Sequence, residues 1–212
     1  MKILFFGDSI TDMDRNKTSG VREIFTYGAG FPYIVACELL SRYPKQFQVV
    51  NRGIGGNRIV DLYARIKKDV WEERPDVLNI LIGINDICHK DVFGSGVELP
   101  RWEKVYRAII EETIDRLPNT KIVICEPFVL HGWATENQWS ELIEIKEYAK
   151  TAKKLAEEFG LGFIPLQEKF DDSAKKYGAE YCSDDGIHTT IVGAKIIADE
   201  WLNYFYKNIK GE

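Results

Sequence analysis

Short, fully apolar runs alternate along this chain with longer stretches in which apolar residues recur every three or four positions. The first run, Ile3-Leu4-Phe5-Phe6, predicts a strand over 2–6 that is buried on both faces. A polar, glycine-dotted stretch over 12–30 follows, with Asp12, Asp14, Asn16, Ser19 and Gly20 and then Gly28 and Gly30. It reads as one long loop, and loops of that length inside compact domains tend to be functional. Ile34, Val35, Cys37, Leu39 and Leu40 put a helix over 31–43, which Tyr43-Pro44 ends. A second strand is expected over 47–51. A helix over 59–71 carries Ile59, Leu62, Ile66 and Val70 along one side. The strongest apolar run, 77–82, is the third strand, and a loop is expected over 87–99. Pro100 opens a helix that runs to Leu117. The remaining elements are a strand over 121–125, a long helix over 138–159 capped by Gly160, a short strand over 162–164, and helices over 166–176 and 190–206.

Strands that alternate with helical patterns predict an α/β fold, a three-layer α/β/α sandwich around a five-stranded parallel sheet. No internal repeat, low-complexity segment or linker divides the chain, so a single domain over 1–212 is expected.

Composition narrows the chemistry. Hydrophobic residues make up 45% of the 212 and charged residues 29%, ordinary for a globular protein. A chain this long buries about 70% of its unfolded surface and needs no disulfide or metal staple. The net charge of −5, with no basic stripe interleaved with aromatics, argues against nucleic acid as a partner. Cys37, Cys88, Cys125 and Cys182 are scattered and form no C-x-x-C pair, so they read as structural thiols and no metal is expected. Met1-Lys2 is followed by too few apolar residues for a secretory signal. No apolar run approaches the ~18 residues of a membrane span. The expectation is a soluble, cytoplasmic protein with no membrane partner.

Three strand exits share one design: an apolar run stops at a glycine and a polar residue. They are Gly7-Asp8-Ser9, the segment from Gly53 to Asn57, and Gly83-Ile84-Asn85. In a parallel sheet these exits lie along one edge, where ligands bind. Ser9 offers a hydroxyl that needs a base to become a nucleophile. Read alone, it is equally a helix cap. A backbone N–H near Gly56 and the side-chain amide of Asn85 are the parts of an oxyanion hole. Asp86 reads as a residue that orders its turn. Three histidines are available as the base. His188 follows Asp185 by three residues, a spacing that lets a carboxylate orient the imidazole, and Asp184 competes for that task. His89 and His131 fall in exit loops and read as surface residues or pocket walls.

Four blocks, Gly7-Asp8-Ser9-Ile10, Asn51-Arg52-Gly53-Ile54-Gly55-Gly56-Asn57, Gly83-Ile84-Asn85-Asp86 and Asp185-Gly186-Ile187-His188, resemble those of the SGNH hydrolases, also called GDSL esterases. The resemblance spans positions 7 to 188 with the blocks in order. It implies a flavodoxin-like strand order, 2-1-3-4-5. It also implies a serine esterase with Ser9 as nucleophile, His188 as base and Asp185 as orienter. The implied oxyanion donors are the Ser9 N–H, the Gly56 N–H and the Asn85 amide. Ile10 stands where the family name has leucine. Thr189 stands where many members have proline, and Thr189 or Thr190 can cap the last helix instead.

Within that family the chain is most similar to bacterial acetylxylan-esterase-like enzymes, through Gly-Asp-Ser-Ile-Thr-Asp, Ile82 to Asp86 and Pro127-Phe128. The expected reaction is hydrolysis of short, acetyl-type esters of a carbohydrate, without cofactor or metal. The expected partner is a small-molecule ester such as an acetylated sugar or oligosaccharide, and a homo-oligomer is compatible with the chain. Asp12 and Trp133 are candidates for substrate contact. Phe31, Tyr33, Trp102 and Trp139 are aromatics that either stack on sugar or pack in the core. The alternatives are a lysophospholipase or thioesterase acting on longer acyl chains, and a non-enzymatic flavodoxin-like binding module. The latter lacks a G-x-x-x-x-G-K-[ST] loop and a G-x-G-x-x-G turn after the first strand.

Overall fold

The computed structural model describes residues 1–18 and 20–211; Ser9, Asp185 and His188 are among them, while Ser19 of the predicted long loop and the terminal Glu212 lie outside. Five parallel strands form one sheet in the order β2-β1-β3-β4-β5, as expected. They are β1 Lys2–Gly7, β2 Gln48–Asn51, β3 Val77–Leu81, β4 Lys121–Cys125 and β5 Gly162–Ile164. β1 and β3 are central, with Ile3 opposite Val77 and Gly7 opposite Leu81. Covered on both faces, they have no side that faces water, and this is why their sequences are apolar without alternation.

The helices are α1 Ser9–Asp12, α2 Phe31–Arg42, α3 Ile59–Ile66, α4 Ile84–Phe93, α5 Leu99–Arg116, α6 Trp139–Leu142, α7 Ile145–Phe159, α8 Gln167–Tyr177 and α9 Ile191–Phe205. α2 packs on α9, and α3 and α7 pack on α5. On the α2/α9 side, the Phe5 ring meets Phe31 edge-on at 5.2 Å and Trp201 at 5.2 Å. Near α5, the buried Trp102 ring meets Tyr106 at 4.9 Å and Tyr148 at 5.2 Å. Phe31 and Trp102 are therefore core residues, fully buried. Among the described residues no helix is long and apolar enough to cross a membrane.

Three elements differ from the sequence reading. The expected loop over 87–99 begins as helix α4, which springs directly from the β3 exit. Ile84 and Ile87, three apart and both buried, supply its inner face, and Gly94 in the left-handed region ends it. Asn85-Asp86 disguises the helix, because both residue types are common in turns. The expected helix over 138–159 is two helices, since Glu144 N–H reaches back three residues to Glu141 O at 3.1 Å and tightens the chain between α6 and α7. The helix over 59–71 is α-helical to Ile66 and ends in a wider π turn over Lys67–Trp71. Thr190, not Thr189, caps α9, accepting from Val192 N–H at 3.2 Å and Gly193 N–H at 3.4 Å.

Candidate active site

The first strand exit is rigid for local reasons. Asp8 caps α1, its Oδ1 accepting from Ile10 N–H at 2.9 Å. The capping role open to Ser9 is therefore filled by its neighbour, and Ser9 becomes the first residue of α1. Among the described residues nothing accepts from the Ser9 N–H, as is usual for the first turn of a helix. Asp8 is 1% exposed, and its other oxygen, Oδ2, has no hydrogen-bond partner among the described residues. Burial pushes its carboxyl up to about 7, against the opposing pull of the Ile10 N–H and the nearby His188 ring.

The second exit, Gly53 to Arg58, is tied at nearly every backbone group. Gly53 N–H donates to Asn51 Oδ1 at 2.8 Å and its carbonyl accepts from Arg15 Nε at 2.8 Å. Ile54 N–H reaches Gly7 O at 3.1 Å, and Gly55 N–H reaches Asp12 Oδ2 at 2.9 Å. Asn57 N–H closes a turn on Ile54 O at 3.2 Å, with Gly56 at φ +77° in its third position, the site a type II turn reserves for glycine. Ile59 N–H donates to Asp86 Oδ1 at 3.0 Å. In this run of N–H groups, the one left without an acceptor among the described residues is Gly56.

The third exit brings Asn85 alongside. It is 9% exposed, and its Nδ2 donates to Asn57 O at 3.1 Å, which uses one of two amide hydrogens. Asp86 next to it is fully buried, and burial holds its carboxyl well above the usual range despite the Ile59 N–H. Through that hydrogen bond Asp86 ties the third exit to the end of the second.

His188 arrives from the opposite end of the chain, ahead of α9. Its Nε2 lies 2.8 Å from Ser9 Oγ and its Nδ1 2.6 Å from Asp185 Oδ2. Burial favours a proton on Asp185, yet hydrogen bonds from the His188 ring and from the Ile187 and His188 N–H groups outweigh it, leaving the carboxyl below its usual range. Those two N–H groups both reach Oδ1 at 2.7 Å. An ionised carboxylate only accepts, so the proton of the neutral ring sits on Nδ1 and Nε2 is left to accept from the Ser9 hydroxyl. Asp184, the competing carboxylate, is exposed, and Asp185 is the one that touches the imidazole.

Sequence reasoning missed what holds Asp185 in place. Ser183 Oγ donates to Asp185 Oδ1 at 3.1 Å and accepts from Gly186 N–H at 2.9 Å. The loop after β4 is laced to the same segment: Leu130 N–H donates to Gly186 O at 2.9 Å and Ala134 N–H to Asp185 O at 3.2 Å. Thr135 Oγ1 donates to Leu130 O at 2.8 Å and accepts from Gly132 N–H at 2.9 Å, bracing that loop. A Ser-Asp-Asp-Gly run ahead of the histidine was the available signal for Ser183. Thr135 had none.

The other candidates are dispersed. Asp12 is 5% exposed and occupied by Gly55 N–H and Lys17. Trp133 is 72% exposed, on the loop laced to Asp185. His89 lies half-buried on α4 with its ring edge-on to Phe93 at 4.8 Å. His131 is stacked on Trp139 at 3.5 Å, beside a cavity of about 260 Å³ between the loop after β4 and α8. Among the described residues, no three His, Cys, Asp or Glu side chains are grouped to hold a metal ion.

The site thus joins a hydroxyl, a base within hydrogen-bond reach, a carboxylate behind the base, and unused donors at Ser9, Gly56 and Asn85. Such a set can support acyl transfer.

Comparison with known proteins bears on this chemistry. The chain is 31% identical over 206 residues to an acetylxylan esterase from Geobacillus stearothermophilus, covering 95% of this chain and 92% of that one. The crystal structure of that esterase superposes with a TM-score of 0.85 at 31% identity, over 95% of this chain and 92% of the other. Catalytic mutants of it, one replacing a serine and one an aspartate with alanine, have also been crystallised. A structure from Parabacteroides merdae assigned to the GDSL-like lipases superposes with a TM-score of 0.89 at 39% identity, over 95% and 94% of the two chains. The match to a family model runs over residues 5–196, which takes in β2 to β5, the end of β1 and the line from Ser9 through His188 to Asp185, and the chain belongs to the GDSL-like lipase/acylhydrolase family.

Proposed function

We propose that this carboxylic ester hydrolase removes short acyl groups, acetyl first, from an acetylated sugar or oligosaccharide, using Ser9, His188 and Asp185. The supporting observation is the unbroken line of contacts from Ser9 Oγ to His188 Nε2 at 2.8 Å and from His188 Nδ1 to Asp185 at 2.6 Å. His188 takes the Ser9 proton as Oγ attacks the ester carbonyl. The oxyanion that forms is received by the Ser9 N–H, the Gly56 N–H and the free amide hydrogen of Asn85. The imidazolium, stabilised by Asp185, gives its proton to the departing sugar hydroxyl. Water, deprotonated by His188, then attacks the acetyl-serine, and acetate leaves as Ser9 recovers its proton. The reading draws on the acetylxylan esterase relative for the acyl group and the sugar. Trp133, exposed beside the Asp185 segment and free of ring contacts among the described residues, is offered as the surface for a sugar ring.

Acetate release from acetylated xylo-oligosaccharides, run beside a p-nitrophenyl ester series from acetyl to octanoyl, tests this. Acetate release and a preference for acetyl are expected. A preference for octanoyl or longer would replace the acetylesterase with an enzyme of the lysophospholipase or thioesterase kind.

A further inference from the structure

Asp12 lies three residues after Ser9, one turn along α1, and is one of the few buried carboxylates among the described residues. Its side chain is 7% exposed, and its Oδ2 accepts two bonds at once: from Gly55 N–H at 2.9 Å and from Lys17 Nζ at 2.6 Å. Arg15 stands on the other side, its Nε 3.8 Å from Asp12 Oδ1 and donating to Gly53 O at 2.8 Å. The second exit loop rests directly on α1. A Cβ built on Gly53 would strike the Asp12 backbone, and one on Gly55 would lie 3.8 Å from both Asp12 Oδ2 and the Ser9 Cβ. Asp12 therefore grips the residue immediately before Gly56, from the helix that carries the nucleophile.

A carboxylate in that place has a cost. The reaction develops negative charge at the Gly56 N–H, and an uncompensated charge on Asp12 would oppose it. Lys17, on the same oxygen that holds Gly55, supplies the nearer compensation at 2.6 Å, beside that of Arg15 at 3.8 Å from Oδ1.

We propose that Asp12 and Lys17 act as a positioning pair: Asp12 fixes the Gly55–Gly56 turn so that the Gly56 N–H faces the oxyanion, and Lys17 neutralises Asp12 so that this grip does not repel the charge formed there. The inference rests on the oxyanion role assigned to Gly56. It gives Asp12 a role other than contact with substrate. Lys17 is itself 45% exposed at the side chain, so its removal leaves the core untouched.

The test is a double-mutant cycle on p-nitrophenyl acetate hydrolysis with kcat and KM measured separately. Lys17→Gln lowers kcat on the order of tenfold, the size of one unit charge acting over a few ångströms near a surface, and leaves KM unchanged. Lys17→Arg restores most of the rate. In an Asp12→Asn background, where the ion pair that holds the exposed Lys17 beside the turn is gone and its ammonium returns to water, Lys17→Gln has little further effect. The proposal is overturned if Lys17→Gln leaves kcat unchanged, if it changes KM alone, or if it costs the same rate in the Asp12→Asn background. A melting temperature that falls while kcat at 25 °C holds also overturns it. Wild-type turnover that Ser9→Ala abolishes is the control. Without that turnover the esterase reading itself fails, whereas with it an inert Lys17→Gln removes only the pair.

Discussion

Asp8 stands one residue before Ser9 and Asn85 two residues after the third exit glycine, Gly83, and each makes a separable prediction. Asp8 ionises at an ordinary 3.8 when unfolded and near 7 when buried in the folded chain. Between those values the folded chain holds a proton that the unfolded chain has released, so stability falls as pH rises from about 4 to about 7 and levels off above. Asparagine keeps the acceptor for Ile10 N–H and removes the titration. Melting curves of the wild type and Asp8→Asn should converge near pH 4 and separate toward pH 7, with the variant more stable by on the order of a few kcal/mol. Parallel curves would mean that Asp8 is ionised throughout. Asn85→Ala should lose roughly 10²–10³ in kcat on p-nitrophenyl acetate, the usual loss for one oxyanion donor. A loss of a few-fold would move that donor elsewhere. Ser9, Gly56, Asn85, Asp185 and His188 were all legible as candidates, since glycines, a lone serine and an Asp-x-x-His spacing mark them. Ser183, Thr135 and the grip of Asp12 were not, because a hydroxyl or carboxylate that braces a loop has no spacing rule. Its partner is a backbone group brought near only by the fold.

At the scale of elements, strands were the most readable part. β4 and β5 fall on the expected residues, and β1, β2 and β3 differ by one residue at an end. Runs buried on both faces carry a signal that no other element imitates. α4 was hidden because its first turn, Ile84-Asn85-Asp86, serves the site and so carries turn-like residues where a helix former would be expected. The loop after β4 was readable as an exit, though not as the brace of Asp185. Gly132 shows why it must lie so close: a Cβ there would collide with the Asp185 carbonyl carbon and the Gly186 nitrogen, both backbone atoms that no rotamer change can move. Gly132→Ala should cost about 1–3 kcal/mol by overpacking, read as a lower urea midpoint. It should also depress kcat by up to about 10²-fold, as expected if Asp185 is the proposed orienter of the base and is displaced by an ångström. A variant with unchanged midpoint and rate would show that the two segments are not packed as described.

For the whole molecule, the parallel sheet explains how residues 9, 56, 85 and 188 meet. The C-terminal ends of β1, β2 and β3 are adjacent in the order β2-β1-β3, so three exits separated by dozens of residues open side by side. α9 then returns to α2, which anchors the His188 segment ahead of it against the same edge. Trp201 on α9 and Phe31 on α2 both pack on Phe5 of β1, so the helix behind His188 and the strand beneath Ser9 share one core contact. The family assignment and the strand order rest on this architecture. The central claim, that Ser9 is the nucleophile, rests on the line of contacts it supports. Treatment with a fluorophosphonate followed by intact-mass measurement and peptide mapping tests it most directly. One adduct per chain is expected, located on Ser9, with parallel loss of esterase activity and no adduct on Ser9→Ala. An active enzyme that takes no label, or one labelled at another residue, would contradict it.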